Sequence, residues 1–176
     1  MTDSRIIINP IGIIKNSISS PALLADEKGL RQNSDTEAVR KGFDETEEIV
    51  SEIILKDNLK ELLSGIEDYS HIVILYWGHE ISDEGRELKK VHPMGNPDFP
   101  LAGLFCTCSP ARPNPVLMTV AELIEKSGNV LKVKGLDAIN NSPVIDIKPY
   151  VSEFFPRKNT YVPDWMKTIA AGHNSE

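Results

Sequence analysis

No Gly-x-Gly step occurs anywhere in the 176 residues, so the phosphate-binding glycine fingerprint of the doubly wound nucleotide folds is missing. Regular alternation of strand and helix is missing as well, which disfavours that class. Cysteine is nearly absent. Cys106 and Cys108, two positions apart, give no disulfide framework. The four histidines, His71, His79, His92 and His173, are scattered, and no Cys/His spacing supports a metal site. No apolar run approaches the roughly 20 residues of a membrane helix. The first residues, Met1 to Arg5, lack the charged and apolar regions of a signal peptide. Internal repeats and low-complexity tracts are absent. A cytoplasmic protein without metal or membrane contact is the expectation. There is no cationic excess either. A net charge of −7 argues against a broad basic face for nucleic acid, while leaving room for a small local phosphate footprint.

What is present is an ordinary globular composition, with 40% hydrophobic and 26% charged residues, in a chain long enough for one domain with a real core. The stretch Gly103 to Pro115 organises the rest. It reads as an apolar strand over Gly103 to Cys108, broken by Pro110, Pro113 and Pro115. Three prolines in six residues exclude helix and central strand, leaving a stiff loop that presents Ser109, Arg112 and Asn114. Such loops often carry binding groups; a mere connection with a solvated arginine is the alternative.

Ile6 to Ile14 reads as a strand bent near Pro10, and Glu48 to Lys56 as another. Between them, Asn16 to Asp44 is a long polar arm with a short helix expected near Thr36 to Lys41. Asp57 to Gly65 is a short helix in which Asp57 caps the first turn, Leu59, Leu62 and Leu63 share a face, and Gly65 supplies the stop. Tyr69 to Trp77 is a central strand that delivers His79 and Glu80 at its end. Ser82 to Pro100 is a second long loop. Val116 to Glu125 and Asn129 to Leu136 form a hairpin through Ser127-Gly128, with Lys132 and Lys134 on the solvent face. Val144 to Ile147 follows a turn at Asn140-Asn141, and Pro163 to Gly172 is a terminal helix. About seven strands with few helices predict an all-β, single-domain, seven-stranded barrel-like fold over residues 1–155, and a tail with a short helix over 156–176.

Asp137, Asn140, Asn141, Ser142 and Asp146 cluster around one turn. Their carboxylates and amides suit a ligand with hydroxyl and amino groups; a turn held by its own side chains is the alternative. His79, Glu80 and Asp146 are the candidate catalytic residues, as groups able to accept a proton. Cys106 and Cys108, two apart in a strand, would share a face. Arg112 is near enough in sequence to lower the Cys108 pKa, although a small space-filling residue is the simpler reading.

Two motifs, Ser109-Pro-Ala-Arg-Pro-Asn-Pro115 and Gly135-Leu-Asp-Ala-Ile-Asn-Asn-Ser-Pro-Val-Ile-Asp-Ile-Lys-Pro-Tyr150, resemble the TsaA-like family. The similarity runs from Ile11 to Tyr150. That family includes S-adenosylmethionine-dependent methyltransferases acting on N6 of a threonylcarbamoylated adenosine next to a tRNA anticodon. The resemblance implies a β-barrel-like fold, S-adenosylmethionine as cofactor, tRNA as a partner and a homodimer. Together with the stiff proline loop beside the polar turn, it leads to the expectation that the cofactor binds at Cys108, Met118, Asp137, Ala138, Ile139, Asn140, Asn141 and Ser142; the loop itself makes Ser109, Arg112 and Asn114 the candidates for binding the acceptor. The chain departs from the family pattern in having Cys108 at an arginine position, Leu117 at a glycine position and Asn140-Asn141 at an Asp-Gly turn. A small-molecule or thiol acceptor, or a non-catalytic module that binds the same cofactor, are the other functions these departures leave open.

Overall fold

A computed structural model describes residues 6–34, 48–156 and 158–173. Its centre is a closed six-stranded antiparallel barrel. The members are β1 (Gly12–Lys15), β4 (Val50–Leu55), β5 (His71–Trp77), β8 (Val116–Ser127), β9 (Val130–Lys134) and β10 (Pro143–Pro149). Around the barrel they run β1, β10, β5, β8, β9, β4 and back to β1. The other strands form two short ribbons, β2 (Leu23–Asp26) with β3 (Gly29–Gln32), and β6 (Lys90–Val91) with β7 (Ala102–Gly103). The expected class is therefore observed, with six barrel strands in place of seven. Closure removes the exposed edges an open sheet would carry.

Strand alternation explains the core. Ile72, Ile74 and Tyr76 of β5 face inward with Ile14, Ile53, Leu131, Val133 and Val144, all buried. Lys132 and Lys134 alternate with Leu131 and Val133 in the pattern expected for β9. β10 carries a bulge between Val144 and Asp146 that shifts its register on β5.

Several expectations are corrected. The first strand begins at Gly12, and Ile6 and Ile7 are exposed, because no strand among the described residues pairs with them. Asp57 begins a 3₁₀ helix (Asp57–Leu63) capped by Lys56 without a side-chain bond, and only Leu63 is buried while Leu62 is open to solvent. Gly65 is left-handed at φ 83°, as expected of a stop. Gly103 to Cys108 is not one strand: it leaves β7 through a 3₁₀ turn (Leu104–Cys106), so Cys106 and Cys108 do not share a strand face. Both cysteines are free and exposed.

The two arms are folded together beside the barrel. The first forms the β2/β3 ribbon; the helix expected at residues 36–41 lies outside the described residues. The second contains α1 (Asp83–Arg86), capped by Ser82 Oγ on the Gly85 amide, and a turn (Pro93–Gly95) that packs on β3. Ser82 Oγ also donates to the Ala25 carbonyl at 3.4 Å. The last described element is α2 (Asp164–His173). Among the described residues, no helix is long and apolar enough to cross a membrane, and no three potential metal ligands are grouped.

Candidate active site

One end of the barrel collects most of the polar side chains the fold turns inward. Here β1, β5 and β9 end while β4, β8 and β10 begin, and the turn between β9 and β10 lies across the opening. Tyr76 is the last inward residue of β5. Its ring is buried among isoleucines, so its phenol needs a partner at the mouth. The hydroxyl donates to Asp137 Oδ1 at 2.7 Å, and Thr119 Oγ1 donates to the same oxygen at 2.5 Å. Tyr76 and Thr119 are 3.3 Å apart. Burial, and then the Asp137 charge, push the Tyr76 phenol far above its ordinary range. Asp137 itself is exposed, with one oxygen held by two hydroxyls.

A raised phenol pKa favours the protonated form in the folded state. Its stabilising contribution is therefore complete below the unfolded value near 10 and is lost as pH rises above it. Melting curves against pH for the wild type and Tyr76→Phe should diverge above about pH 10. The wild type should lose up to about 1.4 kcal/mol more per pH unit there. Parallel curves would show that the phenol is not in this environment.

The turn that follows is tied to β1. Asn140 and Asn141 donate their amides to the carbonyls of Ile18 (2.7 Å) and Ile14 (2.8 Å), and Ile14 donates to Ser142 at 3.0 Å. Asn141 adopts φ 68°, a conformation that asparagine tolerates better than most residues. Asn16 is the clamp. Its Nδ2 donates to the Ala138 carbonyl at 2.7 Å and to Ser51 Oγ at 3.1 Å, and its Oδ1 accepts from Ile18 N at 3.0 Å. Buried Ser142 places Oγ 3.3 Å from His79 Nδ1, and His79 Nε2 stands 3.9 Å from Glu80 Oε1. Asn16→Ala leaves the buried Ser51 hydroxyl and the Ala138 carbonyl short of a donor. The expected cost is about 2 kcal/mol, read as a lowered urea midpoint with an unchanged m-value.

The structure thus gathers Asp137, Ala138, Ile139, Asn140, Asn141 and Ser142 with His79 and Glu80. It does not bring Asp146 to them. That carboxylate lies further along β10, opposite outward-facing Leu75, and is paired with Lys148 at 2.5 Å. Met118 stands on the outer face of β8, 60% exposed, because inward Leu117 and Thr119 flank it. Ser109 is buried and its Oγ accepts from Ala111 N at 3.3 Å. Arg112 folds back on its own loop, donating from Nη1 to the carbonyls of Thr107 (3.0 Å) and Ser109 (3.3 Å) and lying 5.5 Å from the Phe105 ring centre. Asn114 is exposed, and its carbonyl accepts from Val116 N at 2.7 Å. The proline loop reaches the mouth through Pro115, whose carbonyl accepts from Gly78 N at 2.8 Å, next to His79.

Asn16, Ser51, Tyr76 and Thr119 escaped the sequence reading. Tyr76 had a signal, a phenol continuing an inward isoleucine row. The others acquire their partners only through pairing between strands distant in sequence. The donor set fits an adenosyl amino-acid sulfonium. Asp137 offers an exposed acceptor, and Ile81, Leu117 and Pro115 make an apolar wall around Gly78.

The sequence profile of the tRNA-methyltransferase O N-terminal domain matches residues 35–154. A probable S-adenosyl-L-methionine-binding protein of Methanothermobacter thermautotrophicus is 37% identical over 153 residues, which is 87% of this chain and 96% of that protein. A human tRNA (adenine(37)-N6)-methyltransferase is 35% identical over 107 residues, covering 61% of this chain but 24% of the human protein. The crystal structure of TrmO from Pseudomonas aeruginosa superposes with a TM-score of 0.63 at 21% identity, covering 90% of this chain and 61% of that one. This last likeness is one of fold.

Proposed function

Because the chain belongs to the tRNA-methyltransferase O N-terminal-domain family, we propose that it is an S-adenosylmethionine-dependent methyltransferase whose acceptor is N6 of the threonylcarbamoylated adenosine beside a tRNA anticodon. The observation that carries this reading is the barrel mouth, where an exposed Asp137 carboxylate, the 137–142 turn and His79 meet. When bound, the cofactor supplies an electrophilic methyl group on its sulfonium. Asp137 would hold its ribose hydroxyls through the oxygen not engaged by Tyr76 and Thr119. Those two hydroxyls hold the carboxylate in one orientation before any ligand arrives, which lowers the ordering cost of binding.

An exocyclic adenine nitrogen is a weak nucleophile, so a proton acceptor beside it speeds transfer. His79 takes that role. With Nδ1–H donated to Ser142 Oγ, its Nε2 accepts the N6 proton, and the Glu80 carboxylate stabilises the imidazolium. Asp146, ion-paired with Lys148 along β10, takes no part. Arg112 and Asn114 shape the loop that ends at Pro115 and act on the acceptor through its position. The working unit is a homodimer, supported by three exposed apolar side chains on the outer face of β8, Met118, Val120 and Ile124, with Glu122 among them. A scattering mass near 19.5 kDa would rule the dimer out.

A second reading, a module that binds the cofactor without transferring the methyl, is favoured by Cys108. It is exposed and cannot supply the guanidinium expected at that position. Calorimetry with S-adenosylmethionine and S-adenosylhomocysteine tests the cofactor, and absence of heat at millimolar ligand would sink both readings. A methyl-transfer assay on threonylcarbamoylated tRNA then separates enzyme from module. Transfer to a small molecule or thiol, with none to tRNA, would replace the acceptor.

A further inference from the structure

The end of the barrel opposite the mouth carries a feature the proposed chemistry does not use. After β10 the chain donates Tyr150 N to the His71 carbonyl at 3.1 Å and lays its aromatic rings in a row. His71 meets Tyr150 edge-on at 6.3 Å, and Tyr150 stacks on Phe155 at 5.3 Å with 26° between the ring planes. Phe155 remains 40% exposed and its neighbour Phe154 81%. Beside them Ser152, Glu153, Phe155, Pro156 and Lys158 line an open groove of about 480 Å³.

Charge distinguishes this segment from the rest of the protein. Residues 148–167 contain four basic and two acidic side chains, a net +2, whereas the remaining chain has 15 basic and 24 acidic, a net −9. Two of the four, Lys148 and Lys167, are ion-paired with Asp146 and Asp164, and Lys158 is the ammonium group that lines the groove beside Phe155. The same twenty residues hold five of the protein's eleven aromatic Phe, Tyr and Trp side chains. An apolar protein partner would explain exposed rings but not a local reversal of sign. Bases that stack on rings while their phosphates meet ammonium groups explain both.

We propose that the His71–Tyr150–Phe155 stack, with Phe154 and Lys158 beside it, is a stacking platform for single-stranded RNA. It would hold nucleotides flanking the methyl acceptor, one barrel length from the mouth. Six residue steps along β10 lead from Pro143 at the mouth to Pro149 at the platform, roughly 20 Å of strand. A strand held at both ends would be fixed in register, a contact the catalytic end alone does not provide. The inference rests on an RNA acceptor as read above.

Fluorescence anisotropy of the full chain with a labelled anticodon stem-loop RNA and with labelled oligo(A) tests it. Phe154→Ala and Phe155→Leu should each weaken binding of both probes by about tenfold, since stacked bases depend on the rings beneath them. Lys158→Gln should weaken binding less and flatten the salt dependence by about 0.7 of a log–log unit, the share of one single-strand phosphate contact. Phe154 contributes little to the fold at its exposure, so its variant remains informative if Phe155→Leu does not fold. Equal affinity for wild type and Phe154→Ala, or no RNA binding by the wild type, would overturn the platform. So would a fall in oligomer mass in these variants at unchanged RNA affinity, which would make this face a protein interface. Cofactor calorimetry on the same samples keeps the two readings apart. Heat retained by the variants leaves the mouth intact, and its absence in the wild type sinks the cofactor reading, whatever the anisotropy shows.

Discussion

Asp137→Ala is expected to lower S-adenosylmethionine affinity by about a hundredfold. That corresponds to about 2.7 kcal/mol, within the range for a charged hydrogen-bonding group that faces a ligand. The carboxylate is the exposed ionisable group in the 137–142 turn, and Tyr76 and Thr119 fix it with one oxygen turned to them. Asp137→Asn separates charge from shape. It preserves the size of the side chain and an acceptor oxygen, and should lose only about tenfold, because neutral hydrogen bonds are roughly half as strong as charge-assisted ones. Circular dichroism should show both variants folded, since Tyr76 and Thr119 can still bond each other at 3.3 Å. Calorimetry reads the affinities. Wild-type affinity in Asp137→Ala would place the cofactor elsewhere on the barrel.

The second large effect is on folding. Gly12→Ala should lower the melting temperature by about 6–12 °C, the consequence of about 3 kcal/mol of overpacking in a chain this size. A Cβ on Gly12 would sit 2.3 Å from the Ile54 carbonyl oxygen and 2.9 Å from Leu55 Cα, both backbone atoms of the paired strand. Neither can move without breaking the ladder in which Gly12 faces Leu55 on one side and Val144 on the other. β1 is the joint that closes the barrel, so its displacement also releases the Asn16 clamp on the 138–142 turn. Ile13→Ala serves as control. Its side chain is 39% exposed on the same strand and should cost about 1 kcal/mol. A Gly12→Ala melt within about 2 °C of wild type would contradict the close approach of β1 and β4.

Local chemistry accounts for what was legible beforehand. The β-branched run from Ile72 to Ile74, the alternation of Leu131 and Val133 with two lysines, and the turn at Gly128 each carry their structure in a few neighbouring residues. The arms were not legible. Ser82, Gly85 and Ala25 meet across more than fifty residues, and no local pattern distinguishes such polar segments from loops. The 3₁₀ turn at Leu104 was hidden for a related reason: an apolar run of six residues suits a strand or a buried turn equally until its neighbours are known.

The site divides in the same way. Residues contiguous in sequence, Asp137 to Ser142, could be read as one polar cluster because a single turn holds them together. The class of fold, the absence of a glycine phosphate loop and the family's motifs likewise follow from the order of residues alone. Which other side chains join that turn depends on closure. Register between β5 and β8 sets Tyr76 beside Thr119, the β9 exit lowers Asp137 onto both, and β1 brings Asn16 from more than a hundred residues away. The bulge in β10 and the ion pair with Lys148 turn Asp146 away from the same mouth, although only four positions separate it from Ser142. A strand's twofold alternation and a barrel's closure are long-range constraints, so only the tertiary structure decides which polar residues of this chain face one another.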